Sequence, residues 1–346
     1  MKIGFIGCGN MATAMLKGIL KSGEVAATDM IASAKSDKTR KKIEQELGIQ
    51  KADTNAQVVD FADVVFLAVK PQFLEGVLNE IKDRVKEEQI FISIAPGKTL
   101  QWLGEHLGEK TKVIRTMPNT PAMVGEGMTA LCVNELVTEK ETALAVKLCN
   151  TFGKTEVIPE HLMDAVVGVS GSSPAYVFMF LEAMADAAVA DGMPRAQAYK
   201  FAAQSVLGSA KLMLETGKHP GELKDMVCSP AGTTIQAVRV LEEKGLRSAV
   251  FEAQTAFVIN ELWPALIILF SCWILKEKMN LGNTAVIANL AYLTPFVSLI
   301  LTHFVLGEKI TVFSVLGLVL IVTGIIIQMI VNKKWRHQRY DIYGDV

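Results

Sequence analysis

Residues 4–16 read GFIGCGNMATAML: an apolar run, two glycines one residue apart, then small and apolar residues at helical spacing. The run closes a strand at Gly7 and opens a helix at Asn10. In such a turn Gly7 allows the sharp reversal, Gly9 lets the backbone approach a pyrophosphate, and Ala12 permits close packing of helix on strand. The helix start then offers unpaired N–H groups, around Asn10 and Met11, to an anion. A purely structural glycine turn can carry the same letters. Its place after a first strand and before a first helix points instead to a dinucleotide-binding fold.

The next 140 residues repeat that alternation. Strands are expected at Lys2–Gly7, Asp29–Ser33, Asp63–Val69, Ile90–Ala95, Val113–Met117, Met128–Val133 and Thr155–Ile158. Helices are expected at Asn10–Lys21, Asp37–Leu47, Gln72–Val85, Leu100–Leu107 and Glu139–Phe152. Runs such as DVVFLAV (63–69) and IFISIA (90–95) are nearly continuous apolar, as in a parallel sheet covered on both faces. The fold class is therefore α/β, a Rossmann-type doubly wound sheet over residues 1–159.

From residue 160 to 261 the strand signals stop. Ala- and Met-rich stretches with helical spacing take over, for example AYVFMFLEAMADAAVADG and RAQAYKFAAQSVLGSAKLML. Their apolar stripes are wide for isolated helices, so an all-α dimerisation domain is expected. Beyond it the composition changes again. Trp263–Leu275 has 13 residues, too few for an ordinary bilayer crossing. Thr284–Leu306 has 23 residues and Thr311–Val331 has 21, with no Asp, Glu, Lys or Arg in either. At helical rise the first covers roughly 34 Å, enough to span. Residues 262–332 thus read as hydrophobic membrane helices that engage a lipid bilayer, and 333–346 as a basic tail. Lys333, Lys334, Arg336 and Arg339 there form a cytoplasmic flank by the positive-inside rule.

Over the whole chain, 35 basic and 36 acidic residues give a net charge of −1, so no nucleic-acid partner is expected. Five scattered cysteines (Cys8, Cys132, Cys149, Cys228, Cys272) and five histidines far apart in sequence show no metal spacing; free thiols and no metal are expected. The N-terminus runs straight into KIGFIG, so no cleavable leader is expected. The second strand ends in IASAKS and carries no acid that would repel a 2′-phosphate. Ser33, Lys35 and Ser36 would accept one, which favours NADP over NAD as cofactor.

Five motifs recur in a known order. GFIGCGNMA, AVKPQ (68–72), RTMPNTPA (115–122), GSSPAYV (171–177) and SPAGTTIQAV (229–238) make residues 1 to about 256 resemble the pyrroline-5-carboxylate reductases. That resemblance implies reduction of the cyclic imine 1-pyrroline-5-carboxylate to L-proline by NAD(P)H. It implies cofactor contacts along Ala68, Val69, Lys70, Pro71, Met117, Pro118 and Asn119, beside Gly7, Gly9, Asn10, Met11 and Ala12. Parallel sheets do bind ligands outside their carboxyl ends, where AVKP and RTMPN fall. It implies substrate binding by Ser229, Gly232, Thr233 and Thr234, with Thr234 as the catalytic residue, meeting the ring nitrogen. A serine and a Gly-Thr-Thr helix start would also suit a carboxylate on physical grounds. The family's helical domains interleave between subunits, so a homodimer or larger homo-oligomer is implied. One departure stands out: Ala231 occupies a position where many relatives have glycine, and alanine is uncomfortable at positive φ.

The segment AYLTPFVSLILTHFVLGEKITVFSVLGLVLIVTGIII resembles the last hairpin of an EamA-type drug/metabolite transporter. Three helices cannot build a two-repeat transport path. The expectation is a cytoplasmic reductase tethered by two spans, with Lys276 and Lys278 preceding the first. A transporter fragment or scaffold with an inert reductase half, an accidental gene join, and a Rossmann reductase of another imine remain as alternatives at this stage.

Overall fold

The strands are β1 (Ile3–Ile6), β2 (Met30–Ser33), β3 (Gln50–Ala52), β4 (Val64–Leu67), β5 (Ile90–Ser93), β6 (Lys112–Met117), β7 (Gly127–Val133) and β8 (Gly153–Val157). They form one sheet in the order β3-β2-β1-β4-β5-β6-β7-β8, in a computed structural model that describes residues 1–254. Every residue of β1, β2, β4 and β5 is buried, as their largely apolar sequences require, with Ser33 and Ser93 the buried polar ends of β2 and β5. Six helices cover the two faces: α1 (Asn10–Ser22), α2 (Asp37–Gln45), α3 (Asn55–Phe61), α4 (Pro71–Ile81), α5 (Leu100–Leu107) and α6 (Glu139–Cys149). Ile3 and Phe5 pack with Met15, Leu16 and Ile19 of α1, Ile43 of α2 and Leu148 of α6. Ile6 packs with Val58 of α3, Leu74 and Leu78 of α4 and Leu103 of α5. The rings of Phe5 and Phe66 stack 4.5 Å apart at the centre of the first layer. Each of these wholly buried side chains contributes about 2 kcal/mol of apolar transfer energy.

Three features differ from the sequence expectation. The strands from β3 to β6 are parallel, but β7 runs antiparallel to β6, with β8 parallel to β7. The connection 118–126 holds a single 3-10 turn, Thr120–Val124, and is too short for the crossover helix that a parallel neighbour needs. The edge strand β3 reads QKA and is half exposed, so it carries no apolar signal. Helix α3 was legible in principle, since Thr54 and Gln57 form a complete capping box. Elsewhere the expected elements hold within a few residues, and α5 agrees at both ends.

The chain leaves β8 through α7 (Met163–Val166) and a π-turn at Val167–Gly171, then enters α8 (Ser173–Ala190), α9 (Arg195–Thr216), α10 (Pro220–Val227) and α11 (Thr233–Glu243). Residues 246–254 are helical as well. Helices α8 and α9 pair closely, with Ala185, Ala198 and Ala202 buried. Their other faces stay bare: Phe178 is 64% exposed, Phe201 67% and Leu214 83%. Among the described residues one helical run, Glu160–Ala190, is long and apolar enough to cross a membrane. It also carries Glu160, Asp164, Glu182 and Asp186, which fit a helix shared between subunits better than one in lipid. The expected membrane helices (262–332) and basic tail (333–346) lie outside the described residues, as does Cys272.

The α/β part is joined to the helices by a part-buried ion pair. Arg115 Nη1 of β6 donates to Glu160 Oε1 at 2.9 Å, and the Leu100 N–H donates to the same oxygen at 2.7 Å. The Arg115 side chain is only 8% exposed. Cys132 and Cys149 are buried free thiols. Burial pushes Cys149 up to about 12 and, with Glu160 nearby, Cys132 up to about 11. Thiol chemistry is thereby suppressed at both.

Candidate active site

The carboxyl ends of β2, β1 and β4 meet at the point where strand order reverses, the usual crevice of such a sheet. The two glycines of the first turn play different parts there. Gly7 has φ +94°, and a Cβ on it would stand 2.7 Å from the Ala68 carbonyl oxygen. Only glycine fits between those strand ends. Gly9 has an ordinary φ of −75°, and a Cβ on it would meet nothing within 4 Å. Its freedom is therefore needed by something other than the protein. Gly9 and Asn10 are exposed and Met11 half-buried, while Ala12 is buried against the sheet. Helix α1 has no side-chain cap and no acid in its first turn, so its leading N–H groups face an open space.

The loop after β2 supplies positive charge. Ser33 is buried and donates to Asn55 Oδ1 at 2.7 Å. Ser36 accepts the Thr39 N–H at 3.2 Å and so starts α2. Lys35 Nζ lies 5.7 Å from the Phe73 ring centroid at the mouth of the β4 loop. Arg40 reaches back with Nε 2.8 Å from the Ala34 carbonyl oxygen and Nη2 3.3 Å from that of Lys35. Two cations thus flank the strand end, although Arg40 Nη1 also lies 3.8 Å from Oδ1 of the exposed Asp37. The bare Gly9 and this basic loop fit a dinucleotide bearing a 2′-phosphate. Arg40 and Asn55 were missed in the sequence: both lie on neighbouring helices and reach the loop only through folding.

From the opposite side come the β4 and β6 loops. Lys70 is the exposed N-cap of α4 and Pro71 its first residue, with no side-chain cap. Ala68 and Val69 are half-buried beside Gly7. Met117 and Pro118 continue β6, and Asn119 is 9% exposed with both polar ends engaged. Its Oδ1 accepts the Met128 N–H at 2.8 Å and its Nδ2 donates to the Ser170 carbonyl at 2.9 Å. The cofactor residues expected from sequence therefore line the carboxyl end of one sheet.

Ser229–Thr234 form a separate constellation. The Gly232 N–H donates to the Ser229 carbonyl at 3.0 Å, with Pro230 and Ala231 between them. Ala231 has φ +58°, the only positive φ outside glycine among the described residues. Proline followed by a left-handed residue is the type II turn pattern, which wants glycine where Ala231 stands. Replacing Ala231 by glycine should raise stability by about 0.5–1 kcal/mol net, after the larger chain entropy of glycine is counted. A thermal midpoint a few degrees higher would show it, and a lower one would mean the turn is not strained. The turn delivers Gly232 as the N-cap of α11, again with no side-chain cap and no acid in the first turn. Helices α3, α5 and α6, by contrast, are each capped by a threonine. Ser229 and Thr233 are exposed, Thr234 is half-buried, and α10 and α11 contribute no buried residue in the single chain. Among the described residues no group of acids, histidines and cysteines could hold a metal.

Comparison with known proteins covers both regions. Residues 160–260 match the family model "Pyrroline-5-carboxylate reductase dimerisation", and residues 2–97 match "NADP oxidoreductase coenzyme F420-dependent". The chain is 56% identical over 254 residues to pyrroline-5-carboxylate reductase of Escherichia coli (strain K12), covering 73% of this chain and 94% of that one. It is 40% identical over 255 residues to the Arabidopsis thaliana enzyme of the same name, covering 74% and 92%. A solved pyrroline-5-carboxylate reductase from Coxiella burnetii superposes with a TM-score of 0.71 at 34% identity, over 75% of this chain and 97% of that one. Plasmodium falciparum pyrroline carboxylate reductase, solved with NADP bound, gives 0.67 at 29% identity, over 75% and 97%.

Proposed function

Because the chain belongs to the pyrroline-5-carboxylate reductase family, we infer that it reduces 1-pyrroline-5-carboxylate to L-proline with NADPH. The observation that carries this is the 56% identity over 254 residues, beside family matches at 2–97 and 160–260 that contain the glycine turn and the Ser229–Thr234 turn. Bound NADPH supplies the hydride. Gly7, Gly9, Asn10, Met11 and Ala12 would hold its pyrophosphate, and Ser33, Lys35 and Ser36, with Arg40 behind them, its 2′-phosphate. Ala68, Val69, Lys70, Pro71, Met117, Pro118 and Asn119 would wall the rest of the crevice. Ser229, Gly232, Thr233 and the α11 N–H groups would take the substrate carboxylate. Thr234 Oγ1 would orient the ring nitrogen and pass it a proton. The imine carbon is already electron-poor, so positioning and exclusion of water matter more than a strong base.

The dimerisation domain and the bare apolar faces of α8 and α9 support a homo-oligomer, dimer or larger, that completes the site between subunits. We assign 1–159 to cofactor binding, 160–261 to substrate binding and dimerisation, and 262–346 to attachment. Two uncharged stretches of 23 and 21 residues support a hairpin anchor that leaves the reductase on the side of the basic tail. An inserted cysteine near residue 218 should then resist an impermeant thiol reagent on intact cells. Labelling there would remove the anchor orientation but leave the enzyme reading untouched.

Purified full-length chain should oxidise NADPH in the presence of 1-pyrroline-5-carboxylate, with kcat/KM at least about tenfold above that for NADH, the size of one charge-assisted phosphate contact. Absence of turnover with both nucleotides would overturn the inference.

A further inference from the structure

A π-turn is an uncommon insertion that leaves helical carbonyls without their usual donors. Here the Ser172 N–H donates to the Val167 carbonyl at 2.8 Å, five residues back. The Gly168 carbonyl thereby loses the N–H four residues on, and Tyr176 Oη donates to it at 2.7 Å instead. The Ser170 carbonyl faces a second deficit. Its helical donor would be residue 174, which is proline and has no N–H. Asn119 Nδ2 supplies the missing hydrogen bond at 2.9 Å. Gln254 Nε2, from the last described helix, donates to the Ala165 carbonyl at 3.2 Å and packs against Gly168. Two side chains, Tyr176 and Asn119, thus bond carbonyls of the irregular turn, and a third, Gln254, bonds the helix just before it.

Asn119 differs from the other two because it comes from the cofactor side. Its Oδ1 holds the start of β7 through the Met128 N–H, at 2.8 Å. Met117, two residues earlier, lies so close to Gly171 that a Cβ there would sit 3.3 Å from Met117 Cε. The loop bordering the dinucleotide and the turn leading into the helices are therefore one joined piece.

We propose that Asn119 is a positioning residue: its amide, bonded to the carbonyl that Pro174 leaves without a donor, sets the helical domain against the dinucleotide crevice. The role rests on the reductase reading given above, because its kinetic consequence is misplacement of substrate relative to cofactor. A shift of about 1 Å between reacting groups can cost 10- to 100-fold in rate. It also gives the GSSPAYV motif a physical reason, since its proline and tyrosine create and partly answer the same deficit.

The test is a two-residue cycle in the full-length protein. Asn119→Asp keeps the acceptor for Met128 and removes the donor to Ser170. Pro174→Ala gives the Ser170 carbonyl an N–H four residues on. Expected for Asn119→Asp are a 10- to 100-fold fall in kcat at saturating NADPH and faster amide exchange at 166–173, beside whatever loss of NADPH affinity titration calorimetry records for this crevice residue. Adding Pro174→Ala should recover most of the kcat and slow the exchange again. Loss of NADPH affinity alone, with kcat at saturating NADPH and amide exchange as in wild type, would leave Asn119 a cofactor-wall residue only and overturn the proposal. So would independent, additive effects of the two substitutions. If Asn119→Asp is recovered only unfolded, folded double variant supports the proposal and unfolded double variant contradicts it. Should the wild type itself fail to turn over, the reductase reading falls, while calorimetry and exchange still decide the clamp.

Discussion

Gly9→Val should leave the protein folded and weaken NADPH binding at least a hundredfold, about 2.7 kcal/mol. The backbone at Gly9 has φ −75°, which valine adopts without strain, and a Cβ there touches no protein atom. The fold therefore bears only the loss of a favourable helix start, about 0.5–1 kcal/mol. The added methyl groups would instead fill the space at the head of α1 where the pyrophosphate must lie against free N–H groups. Gly7→Ala supplies the contrast. Its Cβ would collide with the Ala68 carbonyl carbon and oxygen at 2.9 and 2.7 Å, at φ +94°. That variant should lose stability before it loses anything specific to the cofactor. Calorimetric titration with NADPH, read beside thermal midpoints, separates the two glycines. If Gly9→Val binds NADPH as tightly as wild type, the crevice has been placed at the wrong end of β1.

Thr234→Val should lower kcat/KM for 1-pyrroline-5-carboxylate by about 100- to 1000-fold, the range for one donor aimed at a reacting group. The substitution keeps the shape of the side chain and removes only its hydroxyl. Threonine and valine have similar helix propensities, and Thr234 is half-buried near the start of α11, so stability should change little. Binding of NADPH should be unaffected, because the residues proposed to hold it lie at the carboxyl end of the sheet. Steady-state kinetics with separate measurement of cofactor affinity distinguish these effects. A change under about threefold would pass the role to the N–H groups of α11.

Much of this was legible before any coordinates. Buried strands with no polar residue, such as VVFL (64–67), advertise a two-sided sheet, and the glycine turn marks its first crossover. Alanine at 231, where many relatives have glycine, put the local backbone in doubt, and the chain keeps the positive φ, +58°, all the same. The illegible features were decided by chain geometry close by or by partners far away in sequence, and neither leaves a mark in the apolar pattern. The direction of β7 is set by the brevity of segment 118–126, not by its own apolar pattern. Arg40 reads as one more solvated helix residue until its guanidinium is seen across the β2 loop. Asn119 sits in a recognisable loop, yet its bond to Ser170 spans 51 residues. The π-turn left only an indirect trace, a proline set where a helix should already be running.

The most direct single measurement is a crystal structure of the protein with NADP and L-proline bound. Thr234 Oγ1 of one subunit should lie within hydrogen-bond reach of the ring nitrogen, about 2.7–3.2 Å, with the carboxylate on the N–H groups opening α11. A proline ring found beside the nicotinamide but far from Thr234 in every subunit would contradict it.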